Sequence, residues 1–174
     1  VDGETHHVGQ NQAVMVGYDR TDAGPLVILV SGATQYRRVD RVTPRLADDL
    51  AAAGFTVITY DRRARGESGD TLPYAVHREI EDIEALIDAA EGRGGLFGMS
   101  SGAVLALEAA AALGNKVTGA FLYDPPLDPQ QDAAEPWRQH AEMAALARED
   151  RGEEMMVRFM RGVGLSPEAL EGVR

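Results

Sequence analysis

The sequence predicts an α/β fold, a mostly parallel sheet with helices on both faces, and three observations carry that reading. Continuous apolar, β-branched runs such as Pro25-Leu26-Val27-Ile28-Leu29-Val30 read as strands buried on both faces. Segments with apolar residues at helical spacing alternate with these runs, and the connections between them are short. In such an alternation, right-handed crossovers lay successive strands parallel. The 174 residues, 44% of them apolar, suffice for one substantial core and a small appendage.

Two short strands open the chain, Thr5 to Val8 and Ala13 to Tyr18, joined by the polar turn Gly9-Gln10-Asn11-Gln12 as a hairpin at a sheet edge. Pro25 to Val30, stopped by Ser31-Gly32, is a central strand. Val42 to Gly54 is a surface helix, with Val42, Leu46, Leu50 and Ala53 inward and Gly54 as its C-terminal stop. Phe55 to Tyr60 is a second buried strand, ending in the charged loop Asp61 to Gly69. Pro73 to Ala90 is a helix whose stripe is Val76, Ile80, Ile83, Leu86 and Ile87. Gly95 to Gly98 is a short strand, Ser101 to Leu113 an alanine-rich helix, and Val117 to Tyr123 a further strand. After Asp124-Pro125-Pro126 the strand pattern stops. The segment from Asp128 to Arg174 reads as amphipathic helices around Glu135 to Ala147, Glu153 to Gly162 and Pro167 to Val173.

Composition narrows the function. A formal charge of −11 argues against nucleic acid or an anionic membrane as partner and leaves a small organic molecule as the better substrate class. The absence of cysteine removes disulfides, thiolate metal sites and a cysteine nucleophile. No apolar run is long enough to span a bilayer, and the N-terminal residues lack a basic-then-apolar signal pattern, so a soluble, cytoplasmic protein is the expectation. A homodimer is compatible with these features.

Gly98-Met99-Ser100-Ser101-Gly102 matches G-x-S-x-G, a weak pattern alone in a chain with 19 glycines. Its setting strengthens it, because the apolar strand Leu96-Phe97 enters the motif and an unbroken helix leaves it. In that strand-turn-helix, small residues at Gly98 and Gly102 let the backbones approach, and the Ser100 hydroxyl projects above the carboxyl edge of the sheet. The helix N-terminus adds free N–H groups suited to an oxyanion. The competing interpretation makes Ser100 and Ser101 mere N-caps, which accounts for a serine but not for both glycines.

These residues, with two more ordered motifs, resemble the α/β-hydrolase superfamily from about Ala13 to Pro126. "VILVSGA" at Val27 to Ala33 resembles the strand and oxyanion-hole turn. "TYDRRARGESG" at Thr59 to Gly69 resembles the family's Asp-x-Arg-Gly-x-Gly-x-Ser loop, with Ala64 in place of its first glycine, and "GMSSG" resembles the nucleophile elbow. The resemblance implies an α/β-hydrolase fold with Ser100 as nucleophile and the backbone N–H groups of Ala33 and Ser101 as the oxyanion hole. Many members carry histidine where this chain has Ser31. The clustered Arg62, Arg63 and Arg65 could form a phosphate or carboxylate clamp, but local pairing beside the elbow is the preferred reading.

A serine nucleophile needs a base, and the family order places the acid and then the histidine after the serine. Of the four histidines, His77 and His140 fall at solvated positions, and His6 and His7 lie in the N-terminal hairpin. A permuted order in which "GETHHV" supplies the base is a remote alternative. The resemblance therefore implies that residues 1–127 are the N-terminal part of the core and 128–174 the start of a helical cap. The rest of the core, with its histidine, is then expected on further polypeptide, continuous or separately cleaved. Asp124, after the last strand, is a candidate acid, a turn or N-cap role before Pro125-Pro126 being equally weighted. The expected activity is cleavage of an ester, thioester or lactone of a small organic substrate without cofactor or metal. A non-catalytic binding protein, or an acyltransferase or perhydrolase on the same scaffold, is the alternative.

Overall fold

The computed structural model describes residues 6–8, 15–21, 24–90, 92–127, 134–166, 168 and 170. In chain order the strands are His6–Val8 (β1), Val16–Thr21 (β2), Leu26–Val30 (β3), Thr56–Tyr60 (β4), Gly94–Met99 (β5) and Val117–Tyr123 (β6). The helices between and after them are Thr43–Ala52 (α1), Val76–Ala90 (α2), Ser101–Leu113 (α3), Glu135–Arg148 (α4) and Gly152–Gly162 (α5). The strands form one sheet in the order β1-β2-β4-β3-β5-β6. β4, β3, β5 and β6 run parallel, while β1 and β2 are antiparallel additions at one edge. The α/β reading holds, with the first two strands paired as expected through His6 opposite Tyr18. Thr5, the turn at Gly9 to Gln12, Ala13, Asp128 and most of the expected Pro167 to Val173 helix lie outside the described residues.

Strand alternation divides the core between the two faces of the sheet. Leu26, Ile28 and Val30 of β3 point the same way as Ile58, Tyr60 and Leu96, where Ile83, Leu86 and Ile87 of α2 and Leu105, Ala106 and Ala109 of α3 cover them. Leu29 and Val57 point the other way and meet Ala47 of α1, with Val27, Leu46, Leu50, Phe55 and Phe97 packed around them. Ile28 lies opposite Ile58 on one neighbour and Leu96 on the other, so the middle of the sheet is apolar on both flanks.

Capping sets the helix ends. The Asp40 carboxylate accepts from the Val42 and Thr43 N–H groups at 2.8 and 3.1 Å and from the Thr43 hydroxyl, and Pro44 sits in the first turn of α1. Gly54, at φ +90°, turns the chain out of the helix in a left-handed conformation that a side chain would oppose. α2 starts three residues later than its apolar pattern suggested. Val76 is exposed rather than part of the stripe, because Pro73, Tyr74 and Ala75 stay outside the helix and Tyr74 turns its hydroxyl onto Glu79 at 2.7 Å.

β6 has a partner on one side only, and most of its residues are exposed. On the α1 face, the stacked rings of Phe97 and Phe121, 5.4 Å apart, border an apolar groove of about 530 Å³ that continues over Leu26, Val27, Leu46 and Leu50. From Leu127 a second unit begins, containing α4 and α5. Within it Leu146 is buried, and Arg158 pairs with Glu142 at 3.3 Å and with Glu154 one turn away at 3.1 Å. Among the described residues no helix is long and apolar enough to cross a membrane.

Ile83 is fully buried between α2 and the central strands. Ile83→Ala is expected to lower unfolding free energy by about 2–5 kcal/mol, measured by urea denaturation, through lost burial and the cavity left behind.

Candidate active site

Ser100 lies between the end of β5 and the start of α3 at φ +53° and ψ −122°, a conformation that glycine adopts freely and other residues resist. Backbone crowding imposes it. A Cβ on Gly98 would stand 2.4 Å from the Gly102 carbonyl oxygen, and one on Gly102 would stand 2.2 Å from that of Val30. Strand, turn and helix are thus in backbone contact where both glycines occur, and the residue between them must reverse the chain sharply. The Ser100 N–H donates to the Tyr123 carbonyl at 2.9 Å, which fastens the turn to the end of β6. Its hydroxyl makes no capping hydrogen bond to α3, contrary to the N-cap interpretation.

The turn after β3 lies against this elbow. A Cβ on Gly32 would be 3.5 Å from that of Ser100 and 3.4 Å from the Met99 carbonyl oxygen. The Gly32 N–H is taken by the Gln35 side-chain oxygen at 2.7 Å, so the next N–H in sequence, that of Ala33, follows a fixed peptide. Ser101 occupies the first turn of α3, where an N–H has no carbonyl four residues back inside the helix to receive it. Ala33 and Ser101 therefore belong to the two turns that flank Ser100.

The arginine-rich loop holds these turns together. Arg62 is buried and makes a two-pronged ion pair with Glu79 of α2, Nε to Oε2 at 2.6 Å and Nη2 to Oε1 at 2.7 Å. Its Nη1 reaches the Ser31 carbonyl and the Ser101 hydroxyl oxygen, both at 3.2 Å, and so spans the two turns. Arg63 pairs with Asp82 at 2.7 Å. The loop's Asp61 accepts instead from the Arg37 and Glu67 N–H groups, at 2.7 and 3.0 Å, with the Arg37 guanidinium 3.3 Å away. Arg62 and Arg63 of the cluster are thus paired, but they take carboxylates of α2, 17 and 19 residues away, rather than the loop's own Asp61. Ala64, where the resembling family has glycine, sits at φ +60°. The buried Ser31 hydroxyl has no partner among the described residues, and the Ser31 carbonyl rather than its side chain joins the network.

The sequence reading missed Glu79, Tyr74 and Gln35. Glu79 and Asp82 carried a usable signal, since both fall on the buried side of α2 beside Ile83 and Leu86, where a carboxylate requires a cation. Asp124 follows the Tyr123 carbonyl that binds Ser100, placing it next to the elbow, exposed and at φ +49°. Among the histidines, His77 on α2 and His140 on α4 are exposed. His6 and His7 lie on β1, with three strands between it and β5, which works against the permuted order.

Burial alone would raise the Glu79 carboxyl, but the hydrogen bonds and charge of Arg62, with Tyr74 and Arg65, hold it below the usual carboxylate range. An acid whose folded value is depressed stabilises above its unfolded value and loses that contribution as pH falls through the folded one. Glu79→Gln, which leaves Arg62 buried without its counter-charge, is expected to cost about 3 kcal/mol at pH 7. The gap from the native protein should narrow steadily toward pH 3 in denaturation measured across that range.

A family model described as "Alpha/beta hydrolase family" matches residues 27–172. An alpha/beta hydrolase from Sphaerobacter thermophilus is 40% identical, with a TM-score of 0.80 over 97% of this chain and 64% of its own. The bottromycin epimerase BotH, solved with bottromycin A2, is 26% identical, with a TM-score of 0.71 over 97% of this chain and 66% of its own. An esterase from Pyrococcus furiosus shares the fold at 21% identity and a TM-score of 0.66, over 81% of this chain and 56% of its own. No curated protein matches the chain. The chain thus spans about two-thirds or less of the length of these structures, and over that span it belongs to the alpha/beta hydrolase family.

Proposed function

We propose that this chain is the nucleophile-bearing part of a serine hydrolase acting on an ester, thioester or lactone of a small organic molecule. The observation that carries the reading is the strained backbone of Ser100, held by glycine contacts against the Gly32 turn and the N-terminus of α3. In this reading the Ser100 Oγ attacks the carbonyl carbon while a base removes its proton. The N–H groups of Ala33 and Ser101 receive the oxyanion as it forms. Collapse expels the alcohol or thiol, which takes the proton from the base, and water then releases the acid by the same steps. A serine in this position disfavours epoxide hydrolysis, which on this scaffold needs an aspartate nucleophile.

The base is the remaining requirement, and none of the histidines in the chain is a good candidate. The open edge of β6 and the apolar groove over Phe97 and Phe121 suit an added strand and helix. We assign both to the polypeptide by which the related structures exceed this chain, and the histidine to that same polypeptide. Asp124, next to the Tyr123 carbonyl that binds Ser100, is the acid that would orient it. The helical unit from Leu127 is then the beginning of the cap segment.

The test uses the protein made from its natural gene. A fluorophosphonate probe is expected to label one residue, Ser100, and Ser100→Ala should abolish the adduct in intact-mass measurement. A protein that binds small molecules without catalysis would show no adduct, and that outcome rejects the hydrolase.

A further inference from the structure

Three of the four arginines around the site are neutralised by carboxylates. Arg37 pairs with Asp19 and Glu67, Arg62 with Glu79, and Arg63 with Asp82. Arg65 is the exception among the described residues. It is half-buried, and its Nη1 donates to two backbone carbonyls, that of Gly32 at 2.6 Å and that of Gln35 at 3.5 Å. Its other N–H groups have no protein acceptor among the described residues, and the residue as a whole is partly open to solvent.

This position is costly for the fold. Burial and the neighbouring Arg62 both disfavour the charged form of Arg65, and pairing with a carboxylate is the usual remedy in such a setting. Glu79 is taken up by Arg62, which leaves Arg65 without a carboxylate of its own among the described residues, in a chain whose net charge is −11. This guanidinium binds the turn that abuts Ser100. From the contacts through Gly32, the guanidinium nitrogen lies within about 10 Å of the Ser100 Cβ. A planar guanidinium with an open edge is built to receive a carboxylate.

We propose that Arg65 anchors a carboxylate of the substrate, so that the enzyme acts on half-esters of short dicarboxylic acids, with the acyl chain bridging from Ser100 to Arg65. The span limits that chain to roughly the length of a succinyl or glutaryl group. The inference rests on Ser100 as the nucleophile, and it adds the substrate class and the residue that selects it. Arg62, already saturated by Glu79, Ser31 and Ser101, has no such role.

The experiment compares binding of monoethyl glutarate with that of its uncharged analogue ethyl valerate by calorimetry, using Ser100→Ala protein from the natural gene to prevent turnover. The charged ester should bind at least about tenfold more tightly. Adding Arg65→Gln should remove that preference, and adding Arg65→Lys should retain part of it, which also controls for a misfolded glutamine variant. Equal binding of the two esters, or a preference that survives Arg65→Gln, overturns the proposal even where the native protein labels at Ser100. Absence of labelling with the carboxylate preference intact rejects the serine-hydrolase reading and leaves Arg65 as an anion anchor.

Discussion

Everything about the candidate site depends on how closely three backbones approach one another at the carboxyl end of the sheet. The helix start at Gly102 touches the end of β3, and Gly98 of β5 touches the helix start, at separations that exclude even a methyl group. That crowding forces Ser100 to reverse the chain within one residue, at a φ that non-glycine residues avoid. The strain is balanced by the surroundings, since α3 packs Leu105, Ala106 and Ala109 into the same core as Ile28 and Leu96. A serine serving only as a helix cap would require neither the contact nor the strain.

Charge organises a second level of the site. Arg62 links α2, the β3 turn and the elbow through a single guanidinium, and its carboxylate partner lies on the helix that packs across the sheet. Breaking one partner leaves the other buried and uncompensated, so the network makes the relative placement of the two turns sensitive to a helix distant in sequence. Arg65 extends the network toward solvent. The result is one guanidinium without a carboxylate partner among the described residues, bound through the Gly32 carbonyl to the turn that abuts Ser100.

Much of this was legible in the sequence, for identifiable reasons. Leu26 to Val30 and Thr56 to Tyr60 are buried on both faces, so their unbroken apolar runs revealed both strands and their parallel pairing. Gly98 and Gly102 revealed the elbow because no other residue type fits their contacts. Other features depended on tertiary partners that a linear pattern does not display. α2 starts at Val76 rather than Pro73, with Tyr74 outside it and bonded to Glu79, and the partner that Glu79 takes, Arg62, lies 17 residues away in sequence. Arg65 was grouped with its neighbours in the loop, and only their distinct partners separate it from them.

The claim most exposed to contradiction is that the fold, and not the serine side chain, dictates the backbone at position 100. Comparing the unfolding free energies of Ser100→Gly and Ser100→Ala tests it directly, because neither variant retains the hydroxyl and only glycine relieves a positive φ. The account predicts that the glycine variant is the more stable, by about 1 kcal/mol. An alanine variant as stable as the glycine variant, or more so, would show that Ser100 is unstrained and that the elbow is not what the structure describes.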